Sequence, residues 1–406
     1  MDSILTNTIG LLVAAIVVAQ VARLLSLPYT VGLVIAGIAL AATRVNIELR
    51  LTHDLVFDLI LPPLLFEAAM NIHWPELRRD LVPVLTLAIL GTAISAAAVA
   101  AGMIYLLGWP APAAIIFGVL IAATDPVAVI AMFKDNGIAG RMRLLVESES
   151  LFNDGVAAVL FVLALAWTQA AGDGAPPPGA AAILAQSATI IGVGALIGAG
   201  VGALGIAIAG QTTDRLIEAA LTAVVAYGSF LGAEHFHGSG VLAAVIAGLI
   251  LGNRGILSAG AQRGFSPQAR EFVLSLWEFI AFLANSLVFL LIGIAVAGIA
   301  LNLAVLATLL AVNLLVLVAR AVAVYPLCLP FRRSAHAVSV REQHVLWWGG
   351  LRGALGLALA LSLPVSFAMR DQIILAAFGV VAFSVVAQGV TMPLLLRGLG
   401  FHRGRE

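Results

Sequence analysis

Apolar residues fill this chain in long blocks separated by short polar segments, and block length is the first feature that converts into structure. A hydrocarbon core about 30 Å thick is crossed by roughly 20 helical residues, fewer where a helix is broken. On that ruler the pattern predicts about thirteen transmembrane helices, near residues 5–25, 28–43, 54–71, 81–108, 111–132, 145–169, 182–209, 216–234, 238–252, 270–298, 301–329, 342–363 and 371–396. The joint between the tenth and eleventh, Ala297 to Asn302, is the least marked.

Composition sets the class. With 62% hydrophobic and 10% charged residues, the chain is far from a soluble domain, where about a quarter of residues carry charge. The expectation is an all-α polytopic membrane protein whose solvent is the lipid bilayer. The first apolar stretch, Ile9 to Leu25, runs at once into a second, so neither a cleavable signal peptide nor a separate soluble domain is read from the pattern. A lone Cys328 rules out an internal disulfide and offers no metal or redox signal.

Net charge is zero, and the placement of charge says more than its sum. If the N-terminus lies outside, one side of the membrane holds Arg23, Arg78, Arg79, Lys134, Arg141, Arg143, Arg215, Arg254, Arg263, Arg270, Arg332, Arg333, Arg341, Arg397, Arg403 and Arg405. The other side holds Arg44, Arg50 and Arg370, and two arginines remain inside spans. Sixteen against three is a strong positive-inside bias and predicts an odd number of crossings, N-terminus out and C-terminus cytoplasmic. Short, Arg-rich loops with a single lysine point to a cell inner (plasma) membrane.

The segment Ala170 to Pro178, with Gly-Asp-Gly and three prolines, is the clearest break. It separates a first helical half, 1–170, from a second, 179–396, with 397–406 as a short cytoplasmic tail inside one transport domain, 1–406. Transporters often repeat a helical unit in inverted orientation, with interrupted helices at equivalent depth. Here the fifth span is interrupted at Thr124-Asp125-Pro126 and the twelfth carries Gly349-Gly350-Leu351-Arg352-Gly353-Ala354-Leu355-Gly356. Pro126 removes a backbone donor and disfavours helix at Asp125, while the glycines weaken the twelfth span. Inverted repeats with two crossed broken helices are therefore expected. At such a crossing Asp125 can offset the positive half-helix N-termini and Arg352 the negative C-termini.

A carboxylate at bilayer depth costs several kcal/mol, so Asp125 and Asp154, each within an apolar run, point to a water-filled path or an ion. Residues 147–155 read Glu-Ser-Glu-Ser-Leu-Phe-Asn-Asp-Gly. On a helix Glu147, Ser150 and Asp154 share one face, with Glu149 and Asn153 in the next row. Helix capping is the lesser account of Glu147, behind the polar face it shares with Ser150 and Asp154, and Asp154 itself lies too deep to cap.

Ala123-Thr124-Asp125-Pro126-Val127-Ala128-Val129 followed by Glu149-Ser150-Leu151-Phe152-Asn153-Asp154-Gly155 resembles the signature of the monovalent cation/proton antiporters, in the electroneutral sodium/proton exchanger branch with an Asn-Asp pair. Pro62-Pro63 with Phe66-Glu67-Ala68, and the Gly-Leu-Arg-Gly-Ala run at 350–354, resemble that family's third and twelfth helices. The resemblance implies that Asp154 is the main cation and proton carboxylate and Asp125 its partner. Thr124, through its carbonyl, and Ser150, through its hydroxyl, are implied as further oxygen ligands for sodium, and Glu149 contributes through water while pairing with Arg320. Asn153 is implied to hold the crossing together. Exchange of one cation for one proton, with sodium or lithium and protons as cargo and no cofactor, is implied too, as is a homodimer through scaffold helices.

Hard cations such as sodium prefer oxygen ligands, which these side chains supply. Burial favours the protonated form of a carboxylate and a bound cation the ionised form, so the two compete for one site. Competition at an alternating-access site is already an exchange mechanism. The function class is therefore a transporter and not an enzyme, with no Walker-type phosphate loop and no nucleic acid among its partners. The rival readings are a sodium-coupled organic-anion symporter and a transporter-like sensor. Glu67 is open between Arg352, Arg320 and water. Asp54, Asp58, Glu218 and Glu278 read as helix-end or anchoring groups, His235 and His237 as a solvated turn, and Trp347 and Trp348 as interfacial anchors. Gly194, Gly198 and Gly202 repeat the small-xxx-small spacing, which reads as internal packing. The first and seventh spans are the candidate dimer faces.

Overall fold

The structure, a computed structural model, describes residues 2–24, 28–42, 51–172, 178–257, 265–299 and 302–401, and all regular structure among them is helical. Arg44, Arg50, Arg263, Arg403 and Arg405, the side chain of Arg23, most of the 170–178 break and the centre of the Ala297–Asn302 joint lie outside the described residues.

Each of the thirteen expected intervals falls on helix. The first two are α1 (Asp2–Leu24) and α2 (Tyr29–Ala42), and the third is a π-helical stretch, Leu55–Ile60, running into α3 (Leu61–Asn71). Next come α4 (Trp74–Thr86) and α5 (Thr92–Tyr105), joined by a π-helical turn at Leu87–Gly91. The fifth interval is two helices, α6 (Ala111–Leu120) and α7 (Val127–Asn136). Then follow α8 (Arg141–Gly172), α9 (Ala180–Ala209), α10 (Arg215–His235), α11 (Gly240–Leu251), α12 (Pro267–Ala297) and α13 (Leu303–Cys328). The twelfth interval again divides, into α14 (Val340–Trp348) and α15 (Ala354–Leu361), and the last is α16 (Arg370–Phe383), a π-helical turn at Ser384–Gln388, and α17 (Gly389–Gly398). Among the described residues seven runs are long and apolar enough to cross a membrane: Trp74–Tyr105, Arg141–Ala170, Ala180–Ala209, Arg215–His235, Pro267–Ala297, Leu303–Arg333 and Arg370–Gly398.

These helices gather into two compact units, one of Met1–Val56, Val82–Ser150 and Asn285–Glu406, the other of Phe57–Leu81 and Leu151–Ala284. Both draw on each side of the 170–178 break, so the compact units cut across the linear halves 1–170 and 179–396. Helix packing follows complementary surfaces, and these join segments distant in sequence.

In the first unit α5 packs on α6 and α13, and α15 packs on α6 and α16. Small residues set the approach. A side chain at Gly118 on α6 would strike the Ala96 carbonyl of α5, and one at Gly356 on α15 the Leu120 carbonyl at the end of α6. Apolar residues of α7, α13, α14 and α17, among them Val129, Phe133, Val324, Val345 and Met392, form one continuous core.

The second unit is organised around α11, which packs on α3, α9 and α10. Gly194 and Gly198 of α9 face Ser239 and Ala243 at distances that leave no room for a side chain, and Gly202 faces Ala247 almost as closely, so the glycine stripe is used inside the unit. Beneath it Trp277 is buried against Phe66, ring centroids 4.9 Å apart, and donates to the Thr222 hydroxyl at 2.8 Å. Glu218 is fully buried and accepts from the Ser266 backbone N–H (2.9 Å) and hydroxyl (3.1 Å), anchoring the start of α12.

Candidate functional site

The first break opens because helix cannot pass Asp125-Pro126: α6 ends at Leu120 and α7 restarts at Val127. The second opens over residues 349–353, where three of five residues are glycine, and closes at Ala354. The two breaks lie against each other. The Asp125 backbone N–H donates to the Leu351 carbonyl at 2.7 Å, and a side chain at Gly353 would overlap that of Asp125. Glycine at 353 is thus a requirement of close approach.

Charge at the crossing follows the half-helix ends. The Asp125 carboxylate accepts from the backbone N–H of Val127 (2.9 Å) and from that of Ala354, so a single acid caps the N-termini of α7 and α15. Arg352 Nη1 donates to the carbonyls of Ala122 (2.8 Å) and Ala123 (3.2 Å), which follow the C-terminal end of α6. Such groups are orphans at any helix end, and burial makes leaving them unpaired costly.

Around the crossing the first unit supplies paired polar side chains. Thr124 Oγ1 and Ser150 Oγ are 3.0 Å apart, both buried. Arg320 on α13 holds Glu149 on α8 with two hydrogen bonds of 2.8 Å and gives a third, 3.2 Å, to the Leu346 carbonyl at the end of α14. Arg352 makes its described side-chain bonds to backbone carbonyls, and Glu67, in the second unit, accepts from Asn71 Nδ2 at 2.7 Å. Asn153 and Asp154 follow on α8, also in the second unit, Asn153 fully buried and Asp154 partly so.

One local expectation changes. Glu147 does not stand at the start of α8, which begins six residues earlier at Arg141; it pairs with Arg143 one turn back at 3.4 Å. Trp347 and Trp348 are half-buried, and their indole N–H groups donate to the Leu317 carbonyl (2.9 Å) and the Thr391 hydroxyl (3.0 Å), clamping α14 between α13 and α17. Sequence reasoning also passed over Ser384 and Gln388, which bond to the backbone beside the second break. Two polar residues four apart in an otherwise apolar span were the available signal.

Two interrupted helices pinned break to break, with a carboxylate and a guanidinium matched to their ends, define the class of crossed-helix membrane transporters. The sequence model described as "Sodium/hydrogen exchanger, transmembrane" matches residues 11–398, and the chain belongs to that family. It is 42% identical over 379 residues to the Na(+)/H(+) antiporter ApNhaP of Aphanothece halophytica, covering 92% of this chain and 70% of that protein. It is 35% identical over 405 residues to the Na(+)/H(+) antiporter NhaH of Halobacillus dabanensis, covering 96% of each. Among solved structures, the sodium proton antiporter MjNhaP1 from Methanocaldococcus jannaschii at pH 8 superposes with a TM-score of 0.74 over 98% of this chain and 99% of that one; at 20% identity this shows a shared fold.

Proposed function

We propose that this chain is a sodium/proton antiporter in which cation and proton compete for the carboxylates Asp154 and Asp125, with the Thr124 carbonyl and Ser150 hydroxyl as further oxygen ligands. Family membership, with relatives of up to 42% identity named as Na(+)/H(+) antiporters, supports the activity. The observation that carries the site is the crossing itself: one acid caps two half-helices beside the buried Thr124–Ser150 pair. A sodium ion entering there meets hard oxygen donors, and a proton arriving at the same carboxylates displaces it.

Glu149, Arg320, Asn153, Arg352, Glu67 and Pro126 support the site without carrying cargo. Asn153 in place of a second acid makes the cycle electroneutral, one sodium or lithium for one proton. Thirteen crossings place the N-terminus outside and the C-terminus in the cytoplasm of a plasma-membrane protein, following the arginine distribution. Two copies assemble through the scaffold, for which α9 offers Leu196 and Leu204, 75% and 59% exposed, on the side away from its glycine stripe.

The deciding experiment follows a pH gradient in proteoliposomes on addition of sodium, lithium or potassium, with and without a clamped membrane potential. Sodium-driven proton movement that ignores the potential is the expected result. A response that follows the potential would make the stoichiometry wrong, and no response to any cation would remove the exchange reading.

A further inference from the structure

The run Arg370–Gly398 is long and apolar enough to cross a membrane, yet it is not α-helical throughout. A π-helical turn, Ser384–Gln388, interrupts it between α16 and α17. Such turns carry extra residue length, cost hydrogen-bond geometry and recur at functional sites. This one holds two polar side chains, Ser384 at 2% and Gln388 at 3% exposure.

Both reach the unwound segment of the twelfth span, one at each side. Gln388 Nε2 donates to the carbonyl of Trp348, the last residue of α14, at 2.8 Å. At the far side the Arg352 backbone N–H donates to Ser384 Oγ at 3.1 Å, and that hydroxyl donates in turn to the Val381 carbonyl at 2.9 Å. Between these anchors lies Leu351, whose carbonyl takes the Asp125 N–H, and immediately after them Gly353 and Ala354, which face the Asp125 side chain. The same two side chains line, with Arg320, Gly350 and Arg352, a water-sized cavity beside the break.

We propose that Ser384 and Gln388 are positioning residues for the ion site: the π-helical turn aims them at the two sides of the second break and thereby sets where residues 351–354 hold Asp125. The inference rests on the exchange reading. Satisfying buried backbone groups is a role any polar side chain could fill, but here one bond ends on the segment that positions Asp125 and the other on the helical residue from which the break departs. Register is what the π turn supplies. A slip of one residue turns a helical side chain by about 100°, enough to take both groups off their partners.

The test measures sodium-driven proton flux in proteoliposomes, with thermal midpoints of the purified protein, for wild type, Ser384→Ala, Ser384→Thr and Gln388→Leu. Each loss of a bond is expected to raise the apparent KM for sodium about fivefold, the equivalent of one net hydrogen bond, with maximal rate near wild type and a modestly lower midpoint, because a buried backbone group loses its partner. Ser384→Thr, which keeps the hydroxyl, is expected to return KM to the wild-type value. Ser384→Cys serves if the alanine variant does not fold, and is expected to show a smaller rise in the same direction. Unchanged KM in the folded variants, or a rise that Ser384→Thr shares, would overturn the inference while leaving the exchange reading in place. A wild type without sodium-driven flux would fail that reading instead.

Discussion

Arg320 and Glu149 meet fork to fork, Nη1 to Oε1 and Nη2 to Oε2, both at 2.8 Å, with the residues only 3% and 1% exposed. Their positions are 171 apart in sequence, and the pair ties α13 to α8. Removing one partner leaves the other as an uncompensated buried charge. Arg320→Ala is therefore expected to cost about 3–5 kcal/mol of stability. Arg320→Lys, a point charge without the planar fork, should recover only part of it. Thermal unfolding in detergent reads both, and a wild-type midpoint for the alanine variant would show that the pair contributes nothing.

Gly353 sits where any side chain would overlap Asp125. Gly353→Ala is expected to lower maximal exchange at least tenfold by pushing the two breaks apart. Proteoliposome flux at saturating sodium checks this, and full activity in the alanine variant would mean that the breaks are not held as closely as the bond between Asp125 and Leu351 requires.

Asp154→Asn keeps shape and removes the carboxylate proposed to carry cation and proton in turn. Loss of all sodium-driven proton movement, with expression and thermal midpoint retained, is the expected outcome. Turnover at the wild-type rate would sink the assignment of Asp154 as the carboxylate that cation and proton share.

Two glycines on α9 predict opposite signs. Gly198 packs against the backbone of Ala243, whereas Gly200 has open space where a side chain would go. Gly198→Ala should destabilise by about 1–3 kcal/mol through overpacking. Gly200→Ala should be neutral or stabilise by up to about 1 kcal/mol, since alanine loses less backbone entropy in a helix. Melting curves of the two variants against wild type decide it, and a similar loss in both would show that α9 is not oriented by its glycine stripe.

Much of this could be read along the chain. Block length located the helical intervals because burying backbone in hydrocarbon leaves few options besides helix. The interruptions at Asp125-Pro126 and in the glycine run at 349–353 were legible because proline and glycine act on their own backbone. The pairing of Glu149 with Arg320 was implied by resemblance, and the structure places the two in contact. What could not be read was every relation that needs another segment: Ser384 and Gln388 beside the second break, and the Trp347 and Trp348 indoles bonded to α13 and α17.

Local chemistry and transfer free energy are enough to make this chain a helical membrane protein, to break its helices where they break and to leave acids within apolar runs, and all three are legible along the chain. Only the tertiary structure makes the breaks touch, lets Asp125 cap two half-helices at once, turns Arg352 to the Ala122 and Ala123 carbonyls, and sets the π-helical turn Ser384–Gln388 against the second break. Those are contacts between segments 32 to 230 residues apart. They are set by which surfaces can approach within hydrogen-bonding distance once every buried polar group must find a partner, a condition on the whole fold that no single stretch of chain contains.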